Sequence, residues 1–383
     1  MEALRFEQRE DVDFTRLTPD VTEADQRVWE RITAVDLTAQ QVERLRTPPF
    51  VDTRQREVIA VHWHPEFVPM DLVMDRVRAM FPNAESELII PTQHNVLMSL
   101  NGYAGVEIDC YSPEFNTKVQ LLAHFAEDKV RDADVLRKML AHTFRYRNSQ
   151  LTEFIDTVLE PAYQERVDDA AEVTGASDDL VRFVQIHVEK VRRLIEANED
   201  TTPPDALKNK LLRNFLNEQR TRFDDELISH AQIFLTAIKR IVKANFSMKH
   251  FYLTNEIIEE VRGLGGRLVI PHPEQFWPIL LADYDVDGIE VWNPQSQQYT
   301  EFLIQWVNRH NKSARQGEPL LIFMGDDTHF GEKTIDPALQ AAEKAGRELG
   351  VQPAWDNLLI RKSLIVGGAD RARLIEDYKS RLG

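Results

Sequence analysis

Two histidines at alternate positions, His62 and His64, are the residues of this 383-residue sequence whose spacing most directly suggests chemistry. They follow residues 58–61, an apolar run rich in β-branched side chains that is typical of a buried strand. Side chains alternate between the two faces of a strand, so both imidazoles should point the same way and could bind one metal ion. An HxH pair by itself is equally compatible with an accidental pairing on a loop.

Further histidines and carboxylates stand at or just beyond the ends of other short apolar runs. The carboxylates are Glu107 and Asp327, and Asp327 is again two residues from a histidine. Imidazoles and carboxylates together are the usual ligands of zinc, manganese and iron. Each residue alone is more readily explained as a core or loop residue, but their shared position favours a metal site. The six histidines at strand ends are His62, His64, His94, His124, His272 and His329.

The elements that must position these side chains alternate between strand-like and helical patterns. Such alternation predicts an α/β fold with a parallel sheet, in the form of a closed barrel. In a parallel barrel the carboxyl ends of the strands meet at one rim, which is where active sites are built. The strand-like runs are residues 57–64, 87–94, 102–111, 118–124, 267–272, 288–292 and 320–325.

The pattern divides the chain into four segments. Residues 1–50 predict an N-terminal helical extension. Residues 51–125 and 263–383 carry the strand-like runs and predict the two parts of the barrel, the second ending in helices. Residues 126–262 show amphipathic helical spacing and predict a mostly helical insertion. The insertion could act as a lid, pack without a catalytic role, or mediate oligomerisation.

Composition argues against several classes of function. With 46 basic and 63 acidic residues the formal charge is −17, which disfavours broad nucleic-acid binding. No apolar run approaches the ~20 residues of a membrane span, and the N-terminus lacks the pattern of a signal or transit peptide. Cys110 is the single cysteine, so it can form neither an internal disulfide nor a thiolate cage, and we interpret it as a small core residue. These features predict a cytosolic protein with no membrane partner.

Seven short motifs in this order resemble those of the polymerase-and-histidinol-phosphatase (PHP) domain family. The resemblance covers about residues 57–125 and 264–330. It implies a distorted (β/α)7 TIM-like barrel with up to three metal ions at its carboxyl-terminal rim, here interrupted by the large helical insertion. The motifs are HxH (62–64), TQHN (92–95), GVEI (105–108), VQLLA (119–123), PHP (271–273), GIEVWN (288–293) and GDDTH (325–329).

Carried over residue by residue, the resemblance implies overlapping sets of metal ligands. His62, His64, Glu107 and Asp327 would hold one ion. Glu107 would bridge to a second ion that His272 shares. We therefore expect Asp327, Glu107 and His272 to be the catalytic residues of the site.

The third ion is implied less completely. His94 and His329 would serve it, but the resemblance also implies an Asp or His five or six residues after HxH, where this sequence has Pro69 and Met70. Gln93 stands where the family has an acid, and Gln120 stands where it has a histidine. His124, four residues after Gln120, would lie on the same strand face and could replace that histidine.

The resemblance predicts a metal-dependent phosphoesterase that hydrolyses a small phosphorylated metabolite or nucleotide with metal-bound water. One to three zinc, manganese or iron ions per chain would activate the water and neutralise charge on the phosphoryl group. Arg145 and Arg147 are candidates for phosphate binding, because a guanidinium can make bidentate contacts. A solvated helix face explains either arginine alone more readily.

Two alternatives remain open at this stage. A related hydrolase could act on a C–N bond, although we find no strand end with the bridging lysine that such enzymes usually carry. A degenerate barrel could instead bind a ligand or a protein without turnover, and Gln93 and Gln120 motivate that hypothesis.

Overall fold

The computed structural model describes residues 14–313, 318–338 and 340–383, and within them the fold is mixed α/β. Every predicted strand-like run contains a strand, and residues 126–262 are mostly helical. No helix in these ranges combines the length and the apolar character that crossing a membrane requires. The α-helices, in chain order, are α1 (Glu23–Thr33), α2 (Ala39–Arg46), α3 (Met70–Met80), α4 (Asp134–Leu159), α5 (Gln164–Thr174), α6 (Asp178–Ala197), α7 (Lys210–Glu218), α8 (Asp225–Asn245), α9 (Thr254–Gly263), α10 (Thr300–Ser313), α11 (Phe330–Thr334), α12 (Ala342–Ala345), α13 (Leu358–Val366) and α14 (Arg371–Leu382).

The strands fall into three sheets. In two small sheets β1 pairs with β3 and β2 pairs with β10, both in parallel. The third sheet has six strands in the order β4-β5-β6-β7-β8-β9. The strands are β1 (Glu57–Ala60), β2 (Trp63–His64), β3 (Ser86–Ile89), β4 (Met98–Leu100), β5 (Tyr103–Ser112), β6 (Thr117–Ala126), β7 (Arg267–Ile270), β8 (Gly288–Trp292), β9 (Leu321–Met324) and β10 (Thr328–His329).

The strands do not pair as the predicted closed, parallel barrel requires. The six-stranded sheet is antiparallel from β4 to β7 and parallel only from β7 to β9. For β5 and β6 the reason lies in residues 113–116, a short turn that leaves no room for a crossover helix between them. Two strands joined by so short a connection can pair only antiparallel.

By their mutual contacts the described residues form two units, each with its own apolar core. The helical unit consists of the described residues up to Asp36 together with Arg145–Ser247. The sheet unit consists of Leu37–Phe144 together with Met248–Gly383 and contains every strand. The predicted extension, residues 1–50, is thus divided between the two units, and its first 13 residues lie outside the described ranges.

A side chain joins two sheets of the sheet unit where no backbone ladder does so. The amide nitrogen Nε2 of Gln352 donates to the main-chain oxygens of Ile59, at 2.9 Å, and Met324, at 2.7 Å. Ile59 lies in β1 and Met324 ends β9. Gln352 is itself buried and accepts a hydrogen bond from the indole of Trp355. The two strands that lead into the HxH and GDDTH motifs are therefore held side by side.

Candidate metal centre

Two backbone pairings place four of the predicted ligands next to one another. The register of β2 and β10 sets His64 opposite His329. An isolated parallel bridge sets His94 opposite Glu107, which lies in the middle of β5. Because the side chains of paired residues share a face, each pairing delivers two ligand-type groups to one location.

Several residues at the site have a left-handed backbone conformation, which residues other than glycine rarely adopt. The φ angles are 54° at Glu66, 54° at Asn95, 31° at His272 and 47° at Asp327. Such conformations cost about 1–3 kcal/mol each and cluster at functional sites. At Asp327 the main-chain N–H donates to the oxygen of His62 at 2.9 Å, which fixes this turn against the HxH strand.

Glu107 is buried at the middle of the imidazole cluster and presents one oxygen to each side of it. Its Oε1 lies 3.5 Å from Nε2 of His272 and 4.0 Å from Nε2 of His62. Its Oε2 lies 2.5 Å from Nδ1 of His94 and 3.5 Å from Nε2 of His64. Burial would raise the pKa of this carboxyl, but the neighbouring His94 and His272 hold the pKa well below its usual value. Both oxygens of this carboxylate therefore face imidazole nitrogens.

Asp327 places one carboxylate oxygen near three imidazoles of the same cluster. Its Oδ1 lies 3.3 Å from Nε2 of His329, 3.4 Å from Nε2 of His64 and 3.6 Å from Nε2 of His62. Burial opposes ionisation of this carboxyl too, yet the neighbouring His329 and His64 keep its pKa well below the usual value. Both carboxylates are therefore ionised at neutral pH.

Seven of the eight predicted metal ligands meet in three overlapping groups. Within each group the ligand atoms all lie within 4.8 Å of one another. The overlap differs from the predicted one, which ran through Glu107, since here His62 and His64 each belong to two groups and Glu107 belongs to one. The groups are His62, His64 and Asp327; His62, Glu107 and His272; and His64, His94 and His329.

The imidazoles at the centre have buried nitrogens that the surrounding protein leaves without hydrogen bonds. Nε2 of His62 and both ring nitrogens of His64 make none to any described residue. The His64 ring is stacked between those of His94, at 4.3 Å, and His329, at 4.2 Å. Burial and these two rings hold the pKa of His64 well below its ordinary value. Leaving a buried polar group unsatisfied costs about 1–3 kcal/mol, and a divalent cation bound by nitrogen and oxygen would remove that cost.

His124 is the predicted ligand that the structure does not bring into these groups. It pairs with Gly105, two residues before Glu107 along β5, and is therefore displaced along the strand from the other ligands. Its Nε2 donates to the main-chain oxygen of Val61 at 2.9 Å, and its Nδ1 accepts from the hydroxyl of Tyr378 at 2.8 Å. Burial lowers the pKa of His124 to about 3, so the ring is neutral. With both nitrogens engaged, His124 stabilises the sheet instead of facing the cluster.

The two arginines predicted to bind phosphate lie outside the sheet unit. Arg145 and Arg147 are in α4, within the part of that helix that belongs to the helical unit. The ligand groups all belong to the sheet unit. The assignment of these arginines to the substrate therefore stays a prediction.

Three charged residues at the site were not predicted from the sequence. Glu66 comes two residues after HxH, and its Oε1 lies 3.7 Å from Nδ1 of His329. Gln93, which replaces the family's acid, accepts a hydrogen bond from the main-chain N–H of Glu66 at 3.1 Å. The other two charged residues contact ligands directly: Glu290 contacts His62, and Arg347 contacts Asp327. Only Glu290 lay in a recognised motif, GIEVWN.

Comparison with known proteins adds little to this geometry. No family model matches the sequence, and no curated protein matches it. Among solved structures, a candidate metal-dependent phosphoesterase from Bifidobacterium adolescentis aligns over 82% of this chain and 97% of that chain. The sequence identity is 16% and the TM-score is 0.42, which is too low to define the family or the fold of this chain.

Proposed function

We propose that this protein is a metal-dependent hydrolase of the PHP type that cleaves a phosphoester in a small phosphorylated metabolite or nucleotide. One observation carries the proposal: three overlapping groups of imidazole and carboxylate side chains converge in the sheet unit, with every ligand atom of a group within 4.8 Å of the others. An ordinary core would not gather so many titratable groups, because burying them without cations is costly.

The three groups would supply the ligands of up to three divalent cations, which we propose to be zinc, manganese or iron. Such cations lower the pKa of a coordinated water, orient a phosphoryl group and neutralise its charge. The two oxygens of Glu107 would serve adjacent cations, since they face different imidazoles. Asp327 would contribute Oδ1 alone, because Oδ2 is held by protein groups.

The protein groups around the ligands orient them and limit access of water. Glu290 accepts a hydrogen bond from Nδ1 of His62, which leaves Nε2 of that ring directed at the cluster. The side chains of His62, His64 and Glu107 are at most 1% exposed, whereas that of His94 is 25% exposed. A substrate would therefore reach the site past His94 and the similarly exposed His329.

Hydrolysis of a phosphoester fits this site better than hydrolysis of a C–N bond. The C–N alternative depends on a lysine at the carboxyl end of a strand, and none of the described strands ends in lysine. Arg145 and Arg147 are the residues we propose for binding the phosphoryl group. Assembly through the helical insertion likewise remains a prediction.

The test is metal analysis together with hydrolysis of bis(p-nitrophenyl) phosphate and p-nitrophenyl phosphate in Mn²⁺ or Zn²⁺. We expect bound metal and turnover in the wild type, and loss of turnover in Asp327→Ala. Activity that survives Asp327→Ala would contradict the proposal. Bound metal without hydrolysis of any ester in a broad phosphoester panel would instead favour a binding module.

A further inference from the structure

The two oxygens of the Asp327 carboxylate have different partners. Nη1 of Arg347 donates to Oδ2 at 2.7 Å and also to the main-chain oxygen of Asp327 at 3.2 Å. Nε2 of Gln295 donates to the same Oδ2 at 3.2 Å. Oδ1 is left to face the imidazoles, with Nε2 of His329 at 3.3 Å and Nε2 of His64 at 3.4 Å.

We propose that Arg347 is a positioning residue of the metal centre, which fixes Asp327 as a one-oxygen ligand. The inference rests on the metal centre proposed above and adds a residue that no motif identifies. A carboxylate whose second oxygen already accepts two hydrogen bonds cannot rotate to offer both oxygens to one cation without losing them.

The backbone of Asp327 also depends on this contact. Its φ of 47° is unfavourable for a residue with a side chain. On one side its N–H is bound to the oxygen of His62 at 2.9 Å, and on the other its own oxygen accepts from Arg347. Arg347 therefore holds the main chain and the side chain of the ligand with one guanidinium nitrogen.

Arg347 begins a short stretch, residues 347–352, that we call the bracing segment. The second residue of the bracing segment, Glu348, forms ion pairs with Arg76 and Lys333. Its carboxylate accepts two hydrogen bonds from Arg76, both at 2.7 Å, and one from Lys333 at 2.8 Å. All three side chains are buried, and paired buried charges keep a fixed geometry. This anchor makes Arg347 a rigid support.

The rest of the bracing segment contacts the residues just before Asp327. The N–H of Gly350 donates to Oδ2 of Asp326 at 3.0 Å, and Gln352 donates to the main-chain oxygen of Met324 at 2.7 Å. Three residues of the bracing segment thus contact three residues in the stretch 324–327. The arrangement holds the end of β9 and the ligand that follows it as one unit.

A guanidinium beside a metal ligand affects metal affinity in two ways, through its charge and through its hydrogen bonds, and these change the affinity in opposite directions. Its positive charge repels a cation, so removing it would tighten metal binding if charge were the main effect. Its hydrogen bonds orient the ligand, so removing it would weaken metal binding if positioning were the main effect. The direction of the change in affinity therefore distinguishes the two roles.

The experiment measures Mn²⁺ affinity by equilibrium dialysis for the wild type, Arg347→Met and Arg347→Lys. A matched control is Arg371→Met, which removes another largely buried arginine, paired at 3.6 Å with Asp356. We expect Arg347→Met to bind Mn²⁺ about 10–100-fold more weakly and Arg347→Lys to recover part of that loss. The control should bind as the wild type does, and thermal melts in EDTA measure the stability of each metal-free variant.

Each result has one meaning. Unchanged or tighter Mn²⁺ binding by Arg347→Met would overturn the positioning role, even if the variant melts at a lower temperature. If Arg347→Met does not fold, Arg347→Lys decides: weaker binding than wild type supports the role and equal binding overturns it. A wild-type protein that binds no Mn²⁺ would instead refute the metal centre itself.

Discussion

Oε2 of Glu290 lies 2.6 Å from Nδ1 of His62, and both side chains are 1% exposed. Burial disfavours a charged imidazole, but the attraction of Glu290, with that of Asp327 and Glu107, raises the pKa of His62 to about 10. Asn293 holds the same carboxylate through a hydrogen bond of 2.9 Å to its Oε1. In the absence of metal, His62 is therefore an imidazolium at neutral pH, whose Nε2 proton occupies the direction of the proposed metal bond.

The first prediction is that metal binding releases a proton from His62. A cation can bond Nε2 only after that proton has left, so affinity should rise as the pH rises toward 10, by up to about tenfold per pH unit. Titration calorimetry with Mn²⁺ in two buffers of different ionisation enthalpy counts the protons. We expect about one at pH 7 from His62, and fewer in Glu290→Gln, because the pKa of His62 falls when its anionic partner is removed.

Binding of Mn²⁺ without proton release would show that Nε2 of His62 is not a ligand. The control is Glu301→Gln, which neutralises an exposed carboxylate near the start of α10. It should release as many protons as the wild type.

The second prediction concerns the number of bound ions. His62 belongs to two of the three ligand groups, so His62→Ala should lose at least one metal equivalent. His142→Ala is a matched control, because His142 lies on α4 and its Nε2 contacts the main-chain oxygen of His250 at 2.8 Å. Metal content is read by inductively coupled plasma mass spectrometry after dialysis. Equal metal content in the two variants would contradict the ligand assignment.

The positions of most candidate ligands could be predicted from the sequence because they depend on local spacing along the chain. A polar residue at the end of an apolar run lies at the edge of a sheet, and i, i+2 spacing gives a shared face. That rule located His62, His64 and Asp327, which the structure brings together with Glu107 from the middle of β5. It failed for His124 because the ring lies farther along β6, where Val61 and Tyr378 occupy both nitrogens.

The remaining features depend on tertiary contacts that no local pattern encodes. The strand order could not be predicted, since hydrophobic runs look alike in parallel and antiparallel sheets. Arg347 is 20 residues from Asp327 in sequence and lies just after α12, so its role appears only when the bracing segment is folded. The contact of Glu66 with the site was not predicted because Glu66 comes closer to HxH than the Asp or His that the resemblance implies. A left-handed turn brings its side chain toward His329.

The third prediction separates His124 from the metal ligands. Tyr378→Phe removes the hydroxyl that donates to Nδ1 of His124 and leaves that buried acceptor unsatisfied. We expect the free energy of unfolding of the metal-free protein to fall by about 1–3 kcal/mol, with no change in metal content. Urea denaturation in EDTA measures the first quantity and metal analysis the second. Tyr299→Phe, at a residue that is 38% exposed, is the control and should change neither. Loss of a metal equivalent in Tyr378→Phe would reinstate His124 as a ligand.

The fourth prediction concerns the helical unit, where the buried Asp25 of α1 accepts a hydrogen bond of 2.7 Å from the buried Lys190 of α6. Burial would raise the pKa of Asp25, but hydrogen bonds from Lys190 and Thr22 lower it below its usual value. A carboxyl with a lowered pKa stabilises the fold above its unfolded pKa, near 4, and loses that contribution as the pH falls through the folded pKa. Stability of the helical unit should therefore decrease on acidification.

Asp25→Asn tests this pair, because it leaves the buried ammonium of Lys190 without its anion. At pH 7 we expect a loss of roughly 3–5 kcal/mol in the free energy of unfolding, measured by circular dichroism in urea. The loss should shrink as the pH falls from about 4 through the lowered folded pKa, below which the wild-type carboxyl is also protonated. Asp20→Asn is the control, since Asp20 is 76% exposed and its pair with Arg193 should contribute less than about 1 kcal/mol. An Asp25→Asn deficit that stays constant down to pH 2 would show that the ion pair does not stabilise this unit.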